Sequence, residues 1–233
     1  MLQARNIHKT YGHLEVLRGI DIDVAPGRLT TIVGPSGAGK TTLLQILGTL
    51  SAPDAGGSVL FDGQDLTAWP DRRLSAFRNR NLGFVFQSHR LLPEFSILEN
   101  VALPALIGGT PRAKALDEAR CRLERLGLGD RCSHLPSQLS GGECQRAAVA
   151  RALVNGASLI LADEPSGSLD MHNRSELHRL FFDLRDNDGV TFVVVTHDEH
   201  LAADSDVIVN MADGRIISIT DNTVDNSFQN RTI

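Results

Sequence analysis

The feature that most constrains the fold is a short glycine-rich stretch in the first fifth of the chain. Residues 34–41 read GPSGAGKT and match the pattern G-x-x-x-x-G-K-[ST] of a phosphate-binding loop. Glycines let such a loop wrap so that backbone N–H groups point inward at phosphate oxygens. The loop follows an apolar run at residues 29–33 and opens a predicted helix at residues 40–50, whose N-terminal dipole favours anions. A strand, a loop and a helix in this order predict an α/β protein that binds a nucleotide.

The polar residues of this loop have separate expected roles. Lys40 is expected to reach the β- and γ-phosphates, and the Thr41 hydroxyl is expected to bind Mg²⁺. The alternative, a chance glycine-rich loop, is disfavoured by the predicted strand before the loop and the predicted helix after it. The expected nucleotide contacts of this segment are Gly34, Pro35, Ser36, Gly37, Ala38, Gly39, Lys40, Thr41 and Thr42.

Composition narrows the class of protein. The chain has 233 residues, of which 42% are hydrophobic, as is ordinary for a globular protein. Its net charge of −5 argues against a protein that binds nucleic acid through overall positive charge. Its three cysteines form no CxxC pair, which is typical of reduced thiols rather than of a disulfide framework or a zinc site. No signal-peptide pattern is visible, and the apolar runs are shorter than a membrane span. We therefore expect any membrane role to come through a partner.

Four short apolar runs predict the strands of a core sheet. Such runs, bounded by polar or glycine-containing turns, indicate buried strands of a mostly parallel sheet. They occupy residues 29–34, 82–86, 158–162 and 191–196.

The remaining segments predict smaller units around that sheet. Strands at residues 2–7 and 16–24 are expected to be antiparallel and partly exposed, and residues 91–157 to be mainly helical. Asp213-Gly214, between two apolar runs, is a good hairpin turn. Residues 220–233 are polar and lack periodicity, so we predict a disordered tail.

Two adjacent acids end the third apolar run. In the stretch LILADE, Asp163 is expected to hold Mg²⁺ and Glu164 to act as the general base that polarises the attacking water. Adjacent side chains on an extended chain point to opposite sides, which would allow two distinct roles. The alternative is an ordinary strand end followed by an acidic helix cap. The phosphate-binding loop in the same chain favours the catalytic interpretation.

The stretch LSGGE at residues 139–143 points to a family. Ser140, Gly141 and Gly142 open a predicted helix and form a second anion site. One ATP needs only one phosphate-binding loop, so a second phosphate-facing helix implies a second subunit. In isolation, a simple helix cap by Ser140 would be the preferred interpretation. Together with the loop and the acids, the stretch resembles the signature of the ATP-binding cassette (ABC) ATPases, LSGGQ, with Glu143 in place of glutamine.

This resemblance implies roles for four further residues. Tyr11 stands where ABC proteins carry an aromatic ring that stacks on adenine. Gln87 matches the glutamine that senses the γ-phosphate and Mg²⁺ and faces the membrane partner. Asp170 belongs to SLD, which matches the segment that touches the opposite subunit, and His197 matches the histidine that bonds the γ-phosphate. Ser166 and Ser168 replace the Thr and Asn of many relatives, without loss of a group that the mechanism needs.

The resemblance also implies an architecture and partners. It predicts one domain over residues 1–219 with a P-loop NTPase fold: a RecA-like, mostly parallel sheet core, an N-terminal antiparallel β subdomain and a helical subdomain holding the signature. It implies ATP and Mg²⁺ as ligands, a head-to-tail homodimer, integral membrane permease subunits and no nucleic acid. A small P-loop kinase is excluded by the signature and His197, and cassettes that act on DNA or ribosomes usually carry inserts that this chain lacks.

A narrower resemblance rests on LGFVFQ at residues 82–87 and LLPEFSILENV at residues 91–101. These stretches resemble the lipoprotein-releasing branch, whose LolD-type subunits serve LolC/LolE-type permeases at the cytoplasmic face of the inner membrane. Leu91, Leu92 and Phe95 fall where family members receive the permease's coupling helix. The alternatives are a MacB-type export ATPase and an FtsE-type cell-division ATPase that transmits a mechanical signal.

Overall fold

The computed structural model describes residues 1–223, which form two β-sheets and a group of helices. The strands of this part of the chain are β1 Leu2–Tyr11, β2 Leu14–Val24, β3 Leu29–Val33, β4 Ser58–Phe61, β5 Gln64–Asp65, β6 Leu82–Phe86, β7 Leu159–Asp163, β8 Thr191–Val195, β9 Val207–Ala212 and β10 Arg215–Asp221. Its α-helices are α1 Lys40–Leu47, α2 Asp71–Asn81, α3 Ile97–Ile107, α4 Arg112–Arg125, α5 Gly141–Leu153, α6 Met171–Asp188 and α7 Glu199–Asp204. Short 3₁₀ turns lie at Gly129–Arg131 and Pro136–Gln138.

The larger sheet has the strand order β10-β9-β3-β8-β7-β6 and forms the centre of the molecule. Strands β6, β7, β8, β3 and β9 are parallel, and only the β9–β10 pair of this sheet is antiparallel. All five residues of β8 are buried, as expected for a strand covered on both faces. The four predicted core strands are therefore confirmed.

Alternate residues of the central strands pack in opposite directions. Ile160 and Phe192 belong to a buried cluster with residues of α3, α4, α5 and α6. Leu161 and Val193 belong to a second cluster with α1 and the strands of the smaller sheet. Because side chains alternate across a strand, one sheet can anchor both layers.

The smaller sheet has the order β2-β1-β4-β5, and all of its pairs are antiparallel. Burial alternates along β2, where Ile20, Ile22 and Val24 face the core. The predicted antiparallel N-terminal unit, with one exposed face, is confirmed.

The helices α3, α4 and α5 form a layer beside the central sheet. Ser96 and Glu99 make reciprocal side-chain to backbone hydrogen bonds that fix the start of α3. On α4, Ala115, Ala119 and Leu123 are fully buried on one face, whereas Leu116 is only partly buried. This layer carries the glycines of the LSGGE stretch at the start of α5.

The structure corrects the predicted start of the tail. The Asp213-Gly214 hairpin forms, but β10 continues to Asp221. Arg28 binds the Asp221 carboxylate at 2.7 Å, and the Asn222 N–H donates to the carbonyl of Asp206 at 2.9 Å. These contacts hold residues 220–223 against the sheet, and residues 224–233 lie outside the described residues. Within residues 1–223, no helix has the length and apolar character that crossing a membrane requires.

Candidate active site

The phosphate-binding loop joins β3 to α1 at the carboxyl end of the central sheet. Gly34 adopts φ 148° and packs so closely on Met211 that a Cβ would overlap its carbonyl. Gly39 adopts φ 92° and is the N-cap of α1, and a Cβ at this position would overlap Leu17 and the Val16 carbonyl of β2. Both positions require glycine, because L-residues rarely adopt these conformations and no space is left for a side chain.

Two side chains at the start of α1 face this loop and the neighbouring strand. The Lys40 ammonium donates to the carbonyls of Gly34 at 2.7 Å and Pro35 at 3.0 Å, so its charge lies within the loop. The Thr41 hydroxyl donates to Asp163 Oδ1 at 3.1 Å. This bond joins the loop to the end of β7, two segments that are distant in sequence.

The two acids of LILADE lie in different backbone conformations. Strand β7 ends at Asp163, and Glu164 adopts φ 49°, with its N–H donating to the Val195 carbonyl at 2.8 Å. The prediction of an extended chain through both acids is therefore wrong at Glu164. Burial raises the pKa of the Asp163 carboxyl, and the hydrogen bond from Thr41 opposes that rise. The two carboxylates still separate, because the left-handed residue turns Glu164 toward β8.

Glu164 meets the residue that follows β8. His197 Nδ1 lies 2.8 Å from Glu164 Oε2, and the imidazole is 70% exposed. The next residue, Asp198, is buried and accepts hydrogen bonds from the first N–H groups of α7. The cap on α7 fixes the backbone beside His197, and so helps to hold the imidazole next to the Glu164 carboxylate.

Gln87 follows β6 and lines a cleft that it shares with Thr41, Asp163 and Glu164. Its carbonyl accepts a hydrogen bond from the Ser168 hydroxyl at 3.4 Å, and its side chain lies against Gly167. The cleft is lined by Thr41, Phe86, Gln87, Ser88, His89, Arg90, Gly141, Gln145, Asp163, Glu164 and Ser168. One chain thus brings together Thr41, both acids, Gln87 and Gly141 at the start of α5.

The start of α5 is a well-formed helix terminus. The Ser140 hydroxyl accepts from the Glu143 N–H at 3.2 Å, and the Glu143 carboxylate accepts from the Ser140 N–H at 2.8 Å. Gly142 packs against Asn173 of α6 with no room for a side chain. Within residues 1–223, the hydrogen bonds of Ser140 stay inside this first turn. Ser140 is exposed, and within the described residues it makes no hydrogen bond to Lys40 of the same chain.

Two other predicted site residues lie outside the cleft. Tyr11 ends β1 with 49% of its surface exposed, and the Lys9 ammonium lies 5.5 Å from the centre of its ring. Asp170 is the N-cap of α6 and accepts from the backbone and side chain of Asn173 at 2.9 and 2.7 Å. Those hydrogen bonds lower the pKa of Asp170, so this carboxylate already has a structural role.

The sequence reasoning missed the residues that hold the Gln87 segment in place. Gln145 is buried on α5 and donates to the Phe86 carbonyl at 2.9 Å. Arg151, one turn and a half further along, donates to the carbonyls of Arg90 at 2.6 Å and His89 at 2.8 Å. The sequence does place Gln145 and Arg151 six residues apart in an alanine-rich helix. Long polar side chains that become buried in such a helix need hydrogen-bond partners, and this pattern could have indicated the contact.

Comparisons with known proteins agree with these features. The sequence model of the family described as ABC transporter matches residues 17–167. The lipoprotein-releasing system ATP-binding protein LolD of Bacteroides thetaiotaomicron is 58% identical, over 93% of this chain and 99% of its own length. The protein of the same description from Porphyromonas gingivalis is also 58% identical, over 94% and 99% of the two chains.

Solved structures agree as well. A dimeric bacterial ABC transporter cassette, MJ0796, superimposes with a TM-score of 0.86 at 35% identity, over 95% of this chain and 98% of its own. A dimeric post-hydrolysis state of the same cassette, bound to ADP and Pi, gives a TM-score of 0.86 at 34% identity and the same coverage. The predicted P-loop NTPase fold is confirmed by these neighbours.

Proposed function

The chain belongs to the ABC transporter family, and from that premise we propose that it is the ATP-hydrolysing subunit of a lipoprotein-releasing transporter. The observation that carries ATP hydrolysis is the meeting of five side chains at one edge of the sheet. Lys40 and Thr41 stand beside Asp163, and Glu164 stands against His197. This is a phosphate cradle with a carboxylate base beside it.

The proposed roles follow from the chemistry of each group. The loop N–H groups and Lys40 bind the β- and γ-phosphates of ATP. Glu164 accepts a proton from the attacking water, and His197 donates a hydrogen bond to the γ-phosphate while it orients Glu164. Water then attacks the γ-phosphorus, the bond to the β–γ bridging oxygen breaks, and ADP and phosphate leave. Positioning and electrostatic stabilisation supply most of the acceleration in such transfers.

The oxygen donors at this edge suit Mg²⁺. The Thr41 hydroxyl and the Asp163 carboxylate are 3.1 Å apart, and Gln87 lines the same cleft. Mg²⁺ prefers oxygen ligands and is commonly held by one or two protein groups together with substrate phosphates. We assign Thr41, Asp163 and Gln87 as its protein ligands, where the ion would offset the charge of the phosphates.

The exposed start of α5 supports a shared site. Ser140, Gly141 and Gly142 present a helix N-terminus, a natural partner for phosphate oxygens. Gly141 lines the same cleft as Thr41, but Ser140 makes no hydrogen bond to the loop of its own chain within residues 1–223. We assign Ser140 to the ATP held by a second copy in a head-to-tail dimer. We assign Asp170 to the contact between the two subunits, and Tyr11 to stacking against the adenine of ATP.

The segment after Gln87 is the proposed contact with the permease. Leu92 and Phe95 are 42% and 39% exposed, and both are fixed by Asn100, which is fully buried and bonds to their backbone. Leu91, in contrast, is 7% exposed and belongs to the core, so it is not part of the docking surface. A separate groove, lined by residues of α2, β6 and α3, contains Arg78, Arg90 and Arg151 together with apolar residues such as Phe84 and Ile107.

Lipoprotein release is favoured over the alternatives by the relatives. Those at 48–58% identity are described as LolD proteins, and neither the MacB-type nor the FtsE-type interpretation is favoured. We place the subunit at the cytoplasmic face of the inner membrane, where it is peripheral and attached through its permease.

Purification from native membranes tests this function. The tagged chain, isolated in detergent, should bring a permease pair with it. The complex in proteoliposomes should transfer a lipoprotein to a soluble acceptor only with ATP, and Glu164→Gln should abolish that transfer. If the tagged chain were instead recovered with a cell-division protein, and no lipoprotein were transferred, the FtsE-type mechanical alternative would be supported.

A further inference from the structure

Glu143 places a negative charge at a helix terminus that is proposed to bind a phosphate. It is the third residue of α5, and its carboxylate accepts from the Ser140 N–H at 2.8 Å. The Ser140 N–H first, and Arg131 second, lower the pKa of Glu143 to about 2. The side chain is therefore ionised at neutral pH. Such a charge stabilises an isolated helix start, but it repels a second anion that approaches the same terminus.

Arg131 offsets this charge from another part of the chain. Its Nε donates to Glu143 Oε1 at 3.0 Å, so the two oxygens of Glu143 serve Arg131 and Ser140 separately. The guanidinium retains further N–H groups, because only Nε is used in this bond. Arg131 thus binds the carboxylate without displacing the cap of the helix.

The segment that carries Arg131 is anchored to the helical layer. Arg131 ends the 3₁₀ turn Gly129–Arg131, and the following backbone accepts hydrogen bonds from the first turn of α3. The Ile97 N–H donates to the His134 carbonyl at 2.8 Å, and the Leu98 N–H donates to the Cys132 carbonyl at 3.0 Å. This anchoring fixes the backbone that carries Arg131 and so keeps its charge near Glu143.

We propose that Arg131 is a positioning residue for the shared ATP site, and that its charge compensates Glu143 so that the start of α5 can accept the phosphate of a partner-held ATP. The inference rests on the proposed function, because it assumes that Ser140 meets the nucleotide across a dimer. It adds a residue outside the LSGGE stretch, needed because this chain has Glu where the signature LSGGQ has Gln.

The test is a charge cycle in a Glu164→Gln background, with ATP as the ligand. The measured quantity is the ATP concentration that gives half-maximal dimer by size-exclusion chromatography. Arg131→Met should raise this half-maximal ATP concentration about five-fold at low salt, the size of effect expected for a partly exposed charge. The increase should be smaller at high salt, because salt screens the charge. Adding Glu143→Gln should return it to within about two-fold of the parent, because Gln still accepts from the Ser140 N–H.

Two controls make the outcome decisive. Arg125→Met breaks another partly exposed pair, with Asp188 at 2.6 Å, and should leave dimerisation unchanged. Ser140→Arg should abolish dimerisation if the signature is at the interface. Survival of the dimer in Ser140→Arg would overturn the shared site itself. The role of Arg131 alone would be overturned if Ser140→Arg abolished dimerisation but Arg131→Met had no effect on it. It would also be overturned if Arg131→Met weakened dimerisation and Glu143→Gln did not restore it.

Discussion

His197 Nδ1 lies 2.8 Å from Glu164 Oε2, at the point where β8 ends and the chain leaves β7. The left-handed conformation of Glu164 creates this relationship, because it turns the side chain out of the strand direction and toward the neighbouring strand. The carboxylate is mostly buried and the imidazole is exposed. The carboxylate thus lines the cleft, and the exposed imidazole lies directly beside it.

Glu164→Gln should therefore retain ATP binding and lose turnover. The change keeps the size of the side chain and removes the base, and general-base catalysis typically contributes ~10²–10⁴-fold. Steady-state phosphate release, together with equilibrium binding of labelled ATP, separates the two effects. Turnover within a few-fold of the unmodified protein would remove Glu164 from the catalytic role.

Lys40→Ala should weaken ATP binding itself. Loss of a charge-assisted hydrogen bond costs about 1.5–3 kcal/mol, so we expect the Kd for ATP to rise roughly 10- to 100-fold. Lys114→Ala, which removes a lysine on the exposed side of α4 paired with Glu118, is the matched control. Equal affinities of the two variants, measured by titration with labelled ATP, would mean that another cation dominates the phosphate site.

Leu92→Asp should separate the chain from its permease without affecting ATP binding. Leu92 is exposed and its backbone is fixed by Asn100, so the variant should fold. Ile217→Asp, at an exposed apolar position on β10, controls for a new surface charge. Co-purification from detergent extracts is the measurement. Equal recovery of permease with both variants would argue against docking at Leu92.

Glu143 should make stability depend on pH in a defined window. Its folded pKa of about 2 is below the ordinary value of 4.5. The unfolded chain thus takes up the proton first, and the contribution is complete above about pH 4.5 and is lost as the pH falls toward 2. Urea unfolding should show the stability difference between the unmodified protein and Glu143→Gln narrowing from pH 6 to pH 3. A difference that stays constant would contradict the low pKa.

Much of the fold follows from local patterns. Apolar runs predict β3, β6, β7 and β8, because a strand that is buried on both faces consists almost entirely of apolar residues. The Asp213-Gly214 turn gives the final hairpin. The extra residues of β10 were not predictable, since Arg28 and Asp206, which hold its end, are distant in sequence.

The candidate site is predictable only in part for the same reason. Short motifs identify Lys40, Asp163 and Ser140, because their chemistry requires fixed spacing. No spacing rule brings Arg131 to Glu143, or Arg151 to the carbonyls after Gln87, since these contacts depend on how separate helices pack. The left-handed conformation of Glu164 could not be predicted either, because it accompanies the hydrogen bond from its N–H to the Val195 carbonyl on another strand.

The central claim is that one ATP is held between two copies of this chain, and dimerisation of Glu164→Gln tests it most directly. Size-exclusion chromatography should show a dimer with ATP and a monomer with ADP, because we propose that Ser140 engages the γ-phosphate across the interface. Adding Ser140→Arg should leave each monomer able to bind ATP but unable to dimerise. A dimer that persists in Ser140→Arg, or a joint loss of ATP binding and dimerisation, would contradict the shared site.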